Sequence, residues 1–128
     1  MLEKIDYNQL NSRQKENYNY HKVTALLVEY GYTTCLRMSD DYLHADFVAV
    51  NISGEVLKIQ LKARLTFDLK YFGKDIHICF PHQDNFYLYN HDLLLEQNRE
   101  IISLDSTGLF HKGRLTLKYL SMLEKYKL

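Results

Sequence analysis

A chain of 128 residues is long enough to bury a real core and is read as one domain over 1–128, and its 46% hydrophobic and 25% charged content is that of an ordinary soluble globular protein. Lys plus Arg number 16 and Asp plus Glu number 16, so no overall positive field marks a nucleic-acid binder, and any such surface has to be local. Two cysteines are too few for a disulfide scaffold, no apolar run approaches the roughly 18 residues that span a bilayer, and the polar, acid-containing start is no signal peptide, which together point to the cytoplasm.

Residues 1–10 offer only a short helix or an arm. Asn11 or Ser12 then supplies an N-cap, and Tyr20, Val23, Leu26, Leu27 and Tyr30 recur at helical spacing until Gly31 stops the run, which predicts a first helix. Tyr32 to Met38 alternates and is rich in strand formers. Ser39-Asp40-Asp41 follows as a polar turn whose acids either sit in solvent or approach a metal from the side.

The stretch His44 to Arg64 carries the most chemistry. It reads as two β-branched-rich strands joined at Ser53-Gly54, with Asp46 early on the first and Gln60 and Lys62 late on the second. Alternation puts Gln60, Lys62 and Arg64 on one face and Ile59, Leu61 and Ala63 on the other. Pairing about Ser53-Gly54 sets Asp46 opposite Gln60 or Lys62. A buried lysine is costly unless a carboxylate or a ligand compensates it, so an acid, an amide oxygen and an ammonium together suggest a site for a hard divalent cation. Lys62 would then steer an attacking water or offset charge on phosphorus. An ordinary hairpin with an Asp and a Lys paired on its rim fits the same spacing. His44 shares the face of Asp46 and suits either a phosphate contact or a neutral surface position.

After Arg64, residues 65–74 read as irregular, mixing Phe67, Tyr71 and Phe72 with Lys70 and Lys74, which either grip a nucleic acid or complete the core. Asp75 to Phe80 and Asn85 to Tyr89 read as strands, with Pro81 at an end or edge between them. His77 and Cys79 share one side of the first of these, without a zinc-ligand spacing around them. Asn90 or His91 precedes a short helix at Leu93 to Glu96, and residues 97–113 carry turn signals at Asp105 to Gly108 and at Lys112-Gly113, an irregular connection or a short hairpin. The end is predicted helical, with Leu115, Tyr119, Met122, Leu123 and Tyr126 as its apolar face and Arg114, Lys118, Ser121 and Lys125 as a basic one. That basic face either lies along a DNA backbone or is simply solvated.

Asp46, thirteen intervening residues and Gln60-Leu61-Lys62 resemble the Asp…(Asp/Glu)-x-Lys core of the PD-(D/E)XK nuclease superfamily, in the variant where Gln replaces the acid. Ile59 to Arg64, I-Q-L-K-A-R, resembles the V-Q-V-K-T strand of a small group that includes intron homing endonucleases, and the layout is similar to that of archaeal Holliday-junction resolvases. The resemblance covers roughly residues 12–95 and departs from the family twice. Tyr20 stands where eleven residues back from Gly31 a helix Glu is usual, leaving Glu16, one turn earlier, to substitute through a water, and Ala45 stands where a Pro is usual. What it implies is an α/β, restriction-endonuclease-like fold with a mixed central sheet flanked by helices. Asp46, Gln60, Lys62 and Glu16 would be catalytic, and Asp46, Gln60 and the Leu61 carbonyl would hold Mg²⁺, or Mn²⁺ in its place. Arg64, Lys70, Arg114, Lys118 and Lys125 would contact the phosphates of a DNA partner. The expected function is a Mg²⁺-dependent DNA endonuclease working as a homodimer or higher oligomer; the alternative is a nuclease fold that has lost catalysis and serves as a binding or assembly module.

Overall fold

The structure, a computed structural model, describes residues 1–39 and 44–128. Asp40 and Asp41 of the expected polar turn lie outside the described residues. Helix α1 (Ser12–Val28) begins as its sequence predicts, with a reciprocal capping box. The Gln14 N–H donates to Asn11 Oδ1 and the Asn11 N–H donates to Gln14 Oε1, each at 2.9 Å, so two otherwise orphaned donors at the helix start are satisfied. The helix ends at Gly31, whose φ of +90° only glycine adopts at low cost. A Cβ there would also lie 3.1 Å from the Asn51 side chain, which donates to the Tyr30 carbonyl at 3.0 Å and ties the helix end to the sheet.

Strands β1 (Tyr32–Arg37), β2 (Phe47–Asn51), β3 (Val56–Leu61), β5 (Ile76–His82) and β6 (Asn85–Asn90) form one mixed sheet in the order β1-β2-β3-β5-β6. The β2–β3 hairpin turns at Gly54, φ +92°, as expected from Ser53-Gly54, and β5–β6 is a second hairpin that keeps Pro81 within its strand. Strands β3 and β5 run parallel, so the chain must cross over between them. One face of the sheet packs Phe47, Ala49, Ile59, Cys79 and Phe86 against Val23 and Leu27 of α1. The other packs Ile76, Ile78, Phe80, Tyr87 and Tyr89 against α2 (His91–Gln97) and α3 (Leu117–Leu123). The result is a mixed α/β fold with a central mixed sheet flanked by helices, as expected.

Two expectations need correction. The crossover is no irregular loop: Leu65–Asp68 is strand β4, followed by a short 3-10 helix at Leu69–Tyr71. Leu65, Thr66 and Phe67 are all buried, so this strand lacks the alternation by which a half-exposed strand announces itself. It pairs antiparallel with β7 (Leu109–Lys112), a partner far off in sequence rather than half of a local hairpin. The terminal helix is also shorter than expected. It starts at Leu117, after Thr116, which leaves Arg114 outside it and breaks the basic helix face.

Among the described residues, the other edge of β4 has no strand beside it. Side chains from the β6–α2 corner take that place: the Tyr89 hydroxyl accepts from the Thr66 N–H at 3.1 Å and donates to the Thr66 carbonyl at 2.5 Å. His91 Nε2 accepts from the Asp68 N–H at 3.0 Å, which puts the ring proton on Nδ1, 2.7 Å from Asp92 Oδ1. Burial pushes the Tyr89 phenol up, so it stays a donor. Tyr89→Phe removes both Thr66 contacts and leaves a buried N–H and C=O unpaired; it is expected to cost about 1–3 kcal/mol of stability, read as a lower urea midpoint at unchanged slope.

Candidate active site

The site forms where β3 runs out. Asp46 stands one residue before β2 rather than within it, where β2 stops following β3. Its N–H donates to the Ile59 carbonyl and its carbonyl accepts from the Met38 N–H, each at 2.9 Å. At the next position the Leu61 N–H finds no strand carbonyl, and it donates instead to Asp46 Oδ2 at 2.7 Å. A carboxylate thus replaces one rung of the ladder and is fixed by it. The Leu61 carbonyl leaves the strand on the same edge as that N–H and accepts from no described backbone group. Lys62 continues the parallel pairing, its N–H donating to the Cys79 carbonyl at 2.9 Å.

Burial pushes the Asp46 carboxyl above its usual range. The Leu61 N–H pulls it back, the negative charge of Glu16 pushes it further up, and Lys62 and Arg37 oppose that. Three charged groups, Glu16, Lys62 and Arg37, therefore act on this carboxylate. Glu16, Leu61 and Lys62 line a single cleft with Tyr7, Lys15 and Pro81, just beyond the carboxyl ends of the two parallel strands. Open α/β sheets commonly place their sites there. Glu16 comes to the cleft because it lies one turn from Tyr20, whose ring packs edge-on against Phe47 at 5.0 Å and under the Arg37 guanidinium at 4.0 Å. Tyr20 thus packs against the core, and Glu16, one turn earlier on the same helix, is left to face the cleft.

Gln60 is half-buried in β3, next to Ile59, which pairs with Phe47 and whose carbonyl takes the Asp46 N–H. Lys62 Nζ lies 5.3 Å from the centre of the Tyr71 ring, and Lys70 Nζ lies 5.2 Å from the same ring. Arg64 is exposed and, like Lys62, lies past the end of β3. It stands at the open end of the β4–β7 ribbon, where Leu65 pairs with Lys112, two residues before Arg114. Lys112 and Lys118 both approach Tyr119, at 5.3 and 5.0 Å. Lys125 is elsewhere, in a groove with Gln97 and Asn98 of α2. His44, in the left-handed region at φ +57°, lines a different cleft with Lys58 and Lys74.

Among the described residues no three His, Cys, Asp or Glu side chains gather as a metal-holding group. Asp46, Glu16 and the Leu61 carbonyl nevertheless fit a hard cation of the Mg²⁺ kind, which takes oxygen donors and keeps several waters. A cation between the two carboxylates would relieve the burial and repulsion that both act on Asp46. Sequence spacing alone did not disclose Arg37, nor that Tyr71 lies against Lys62. Arg37 reaches the site through the β1–β2 register, where it pairs with Phe47, and Tyr71 through the crossover.

No protein-family model and no curated protein matches this sequence. Among solved structures the chain is similar to a bacterial homing endonuclease, I-Ssp6803I, with a TM-score of 0.51 at 14% identity over 91% of this chain and 94% of that one. The likeness is one of fold, and it supports a nuclease-like architecture.

Because the folded state holds the Asp46 proton more tightly than the unfolded chain does, the favourable contribution of this group is present at low pH and is lost as pH rises through its raised value. Asp46→Asn retains an oxygen for the Leu61 N–H and removes the charge. At neutral pH it is expected to melt at or above the parent temperature. That gain should fade as pH falls below the ordinary carboxylate range, around 4. Asp46→Ala, which strands the N–H, should melt lower than Asp46→Asn throughout; calorimetry across pH separates the three proteins.

Proposed function

We propose that this protein is a Mg²⁺-dependent DNA endonuclease that hydrolyses phosphodiester bonds. The observation that carries the reading is the Asp46 carboxylate, fixed at 2.7 Å by the Leu61 N–H and surrounded by the charges of Glu16, Lys62 and Arg37. Asp46, the Gln60 amide oxygen and the Leu61 carbonyl hold the ion, with Glu16 completing the set directly or through a water. Bound there, the ion supplies a Lewis acid for the phosphate and a more acidic water. Lys62, held over the Tyr71 ring, orients the hydrolytic water and offsets the charge that builds on phosphorus. Arg64, Lys70, Arg114 and Lys118 bind the backbone phosphates beside the cleft, joined by Lys112, which the β4–β7 pairing brings next to Arg64. Lys125, in the α2 groove, takes part only where the nucleic acid extends that far. A site of this size cuts one strand, so cleavage of both calls for a homodimer or higher oligomer.

A second reading has an observation of its own. The described residues lack a three-ligand cluster of His, Cys, Asp or Glu, which favours a nuclease fold that binds nucleic acid without cutting it. Purified protein incubated with plasmid, branched and single-stranded DNA in Mg²⁺ or Mn²⁺ decides between them. Cleavage is expected, with Asp46→Asn and Lys62→Ala each slower by at least about 100-fold. Mg²⁺ should also raise the melting temperature of the parent and not of Asp46→Asn. Intact DNA in every lane, with no melting shift, would establish the binding module.

A further inference from the structure

The cleft at Lys62 does not end at Lys62. Tyr7, Asn19 and Pro81 line both it and a second cleft that runs along α1 to the β5–β6 turn, so the two make one continuous groove. Their volumes, about 450 and 720 Å³, each lie in the range that takes a nucleotide-sized group.

The groove wall alternates rings and cations. Tyr7 and Tyr18 lie 5.3 Å apart at 60°, with Lys15 Nζ 5.3 Å from the Tyr7 ring centre and Lys22 Nζ 5.5 Å from that of Tyr18. Lys15, Tyr18 and Lys22 recur at helical spacing on α1, and Tyr7 is brought to them by the short 3-10 helix Tyr7–Gln9. That turn is capped by Asp6, and the Asn19 amide donates to the Tyr7 hydroxyl at 3.2 Å. Tyr7 and Tyr18 are 37% and 44% exposed, so neither is closed off from solvent. Neither lysine forms an ion pair with a described residue. The acids of the groove stand at its two ends, Glu16 at the candidate metal site and Asp84 at the β5–β6 turn.

We propose that this groove binds an unpaired segment of nucleic acid leading away from the scissile phosphate, with bases stacked on Tyr7 and Tyr18 and phosphates held by Lys15 and Lys22. An aromatic face is useful only to a base already out of a duplex, and cations between rings match the alternation of base and phosphate along a single strand. Unpaired cations favour a polyanion over an apolar partner. The inference rests on the nuclease reading for the direction of the strand but not for its binding.

The test is fluorescence anisotropy with the full chain in EDTA, using a labelled 12-nucleotide oligo(dT) and a 12-base-pair duplex. The single strand is expected to bind more tightly. Tyr18→Leu and Tyr7→Leu should each weaken it roughly 5- to 100-fold, with Tyr18→Phe close to the parent. Lys15→Gln with Lys22→Gln should lower the salt slope by about 1.4. Oligo(dT) binding unchanged in both leucine variants, or a parent that prefers the duplex, would overturn the proposal. The readout needs no metal, so its fate is separable from that of catalysis. Groove binding without cleavage sinks the nuclease reading alone. Cleavage with leucine variants that bind and cut like the parent sinks the groove alone.

Discussion

The hydrogen bond from the Leu61 N–H to Asp46 is the constraint on which the site depends. Where two strands part, each backbone donor left behind needs an acceptor, and here the acceptor is the side chain of a residue on the departing strand. One oxygen of the carboxylate closes the sheet and the other remains for chemistry. The same contact fixes where β3 stops and so where Lys62 emerges. The contact holds a carboxyl half out of water beside another acid, and both push its proton affinity up.

The crossover solves a similar problem by different means. Strand β4 has a true strand on one edge and a phenol and an imidazole on the other. Asp92 extends this support, since its second oxygen accepts the Gly73 N–H at 2.8 Å and holds the end of the segment that carries Lys70 and Tyr71. The aromatic surface on which Lys62 rests is therefore positioned from the far hairpin and α2, through Tyr71 and its edge contact with His91 at 5.7 Å. His91 is fully buried with both ring nitrogens engaged, a polar group whose cost is met by satisfying backbone that would otherwise be stranded.

Local structure was legible in the sequence where local rules decide it. The Asn11 cap, the Gly31 stop, the Gly54 turn and the Asn90 cap before α2 each follow from chemistry within a few residues. The pairing of the two strands on either side of Ser53-Gly54 was legible too, because a short hairpin leaves little freedom in register. Strand β4 was not, since a strand buried on both faces loses its period and its partner lies beyond a hairpin and a helix. For the same reason the sequence did not connect Arg64 with Lys112 and Arg114, or Tyr7 with α1. The resemblance to the nuclease superfamily supplied the arrangement of the central sheet, which the likeness of fold supports.

The two halves of the site differ in how far apart in the chain their parts lie. Asp46 and Leu61 belong to one hairpin, with Phe47 against Ile59, whereas the ribbon beside Lys62 joins Leu65 to Lys112. Closing the longer loop spans about two doublings in length and costs roughly 1.2 kcal/mol more chain entropy. Contacts of high sequence separation form late in folding. The carboxylate end of the site is thus inherited from an early, local element, while the cationic ribbon is a late addition that the chain can open without dismantling the sheet. Insertions or exchanges between β6 and β7 would alter the cationic ribbon and leave the acidic end intact, so the two can vary independently of one another.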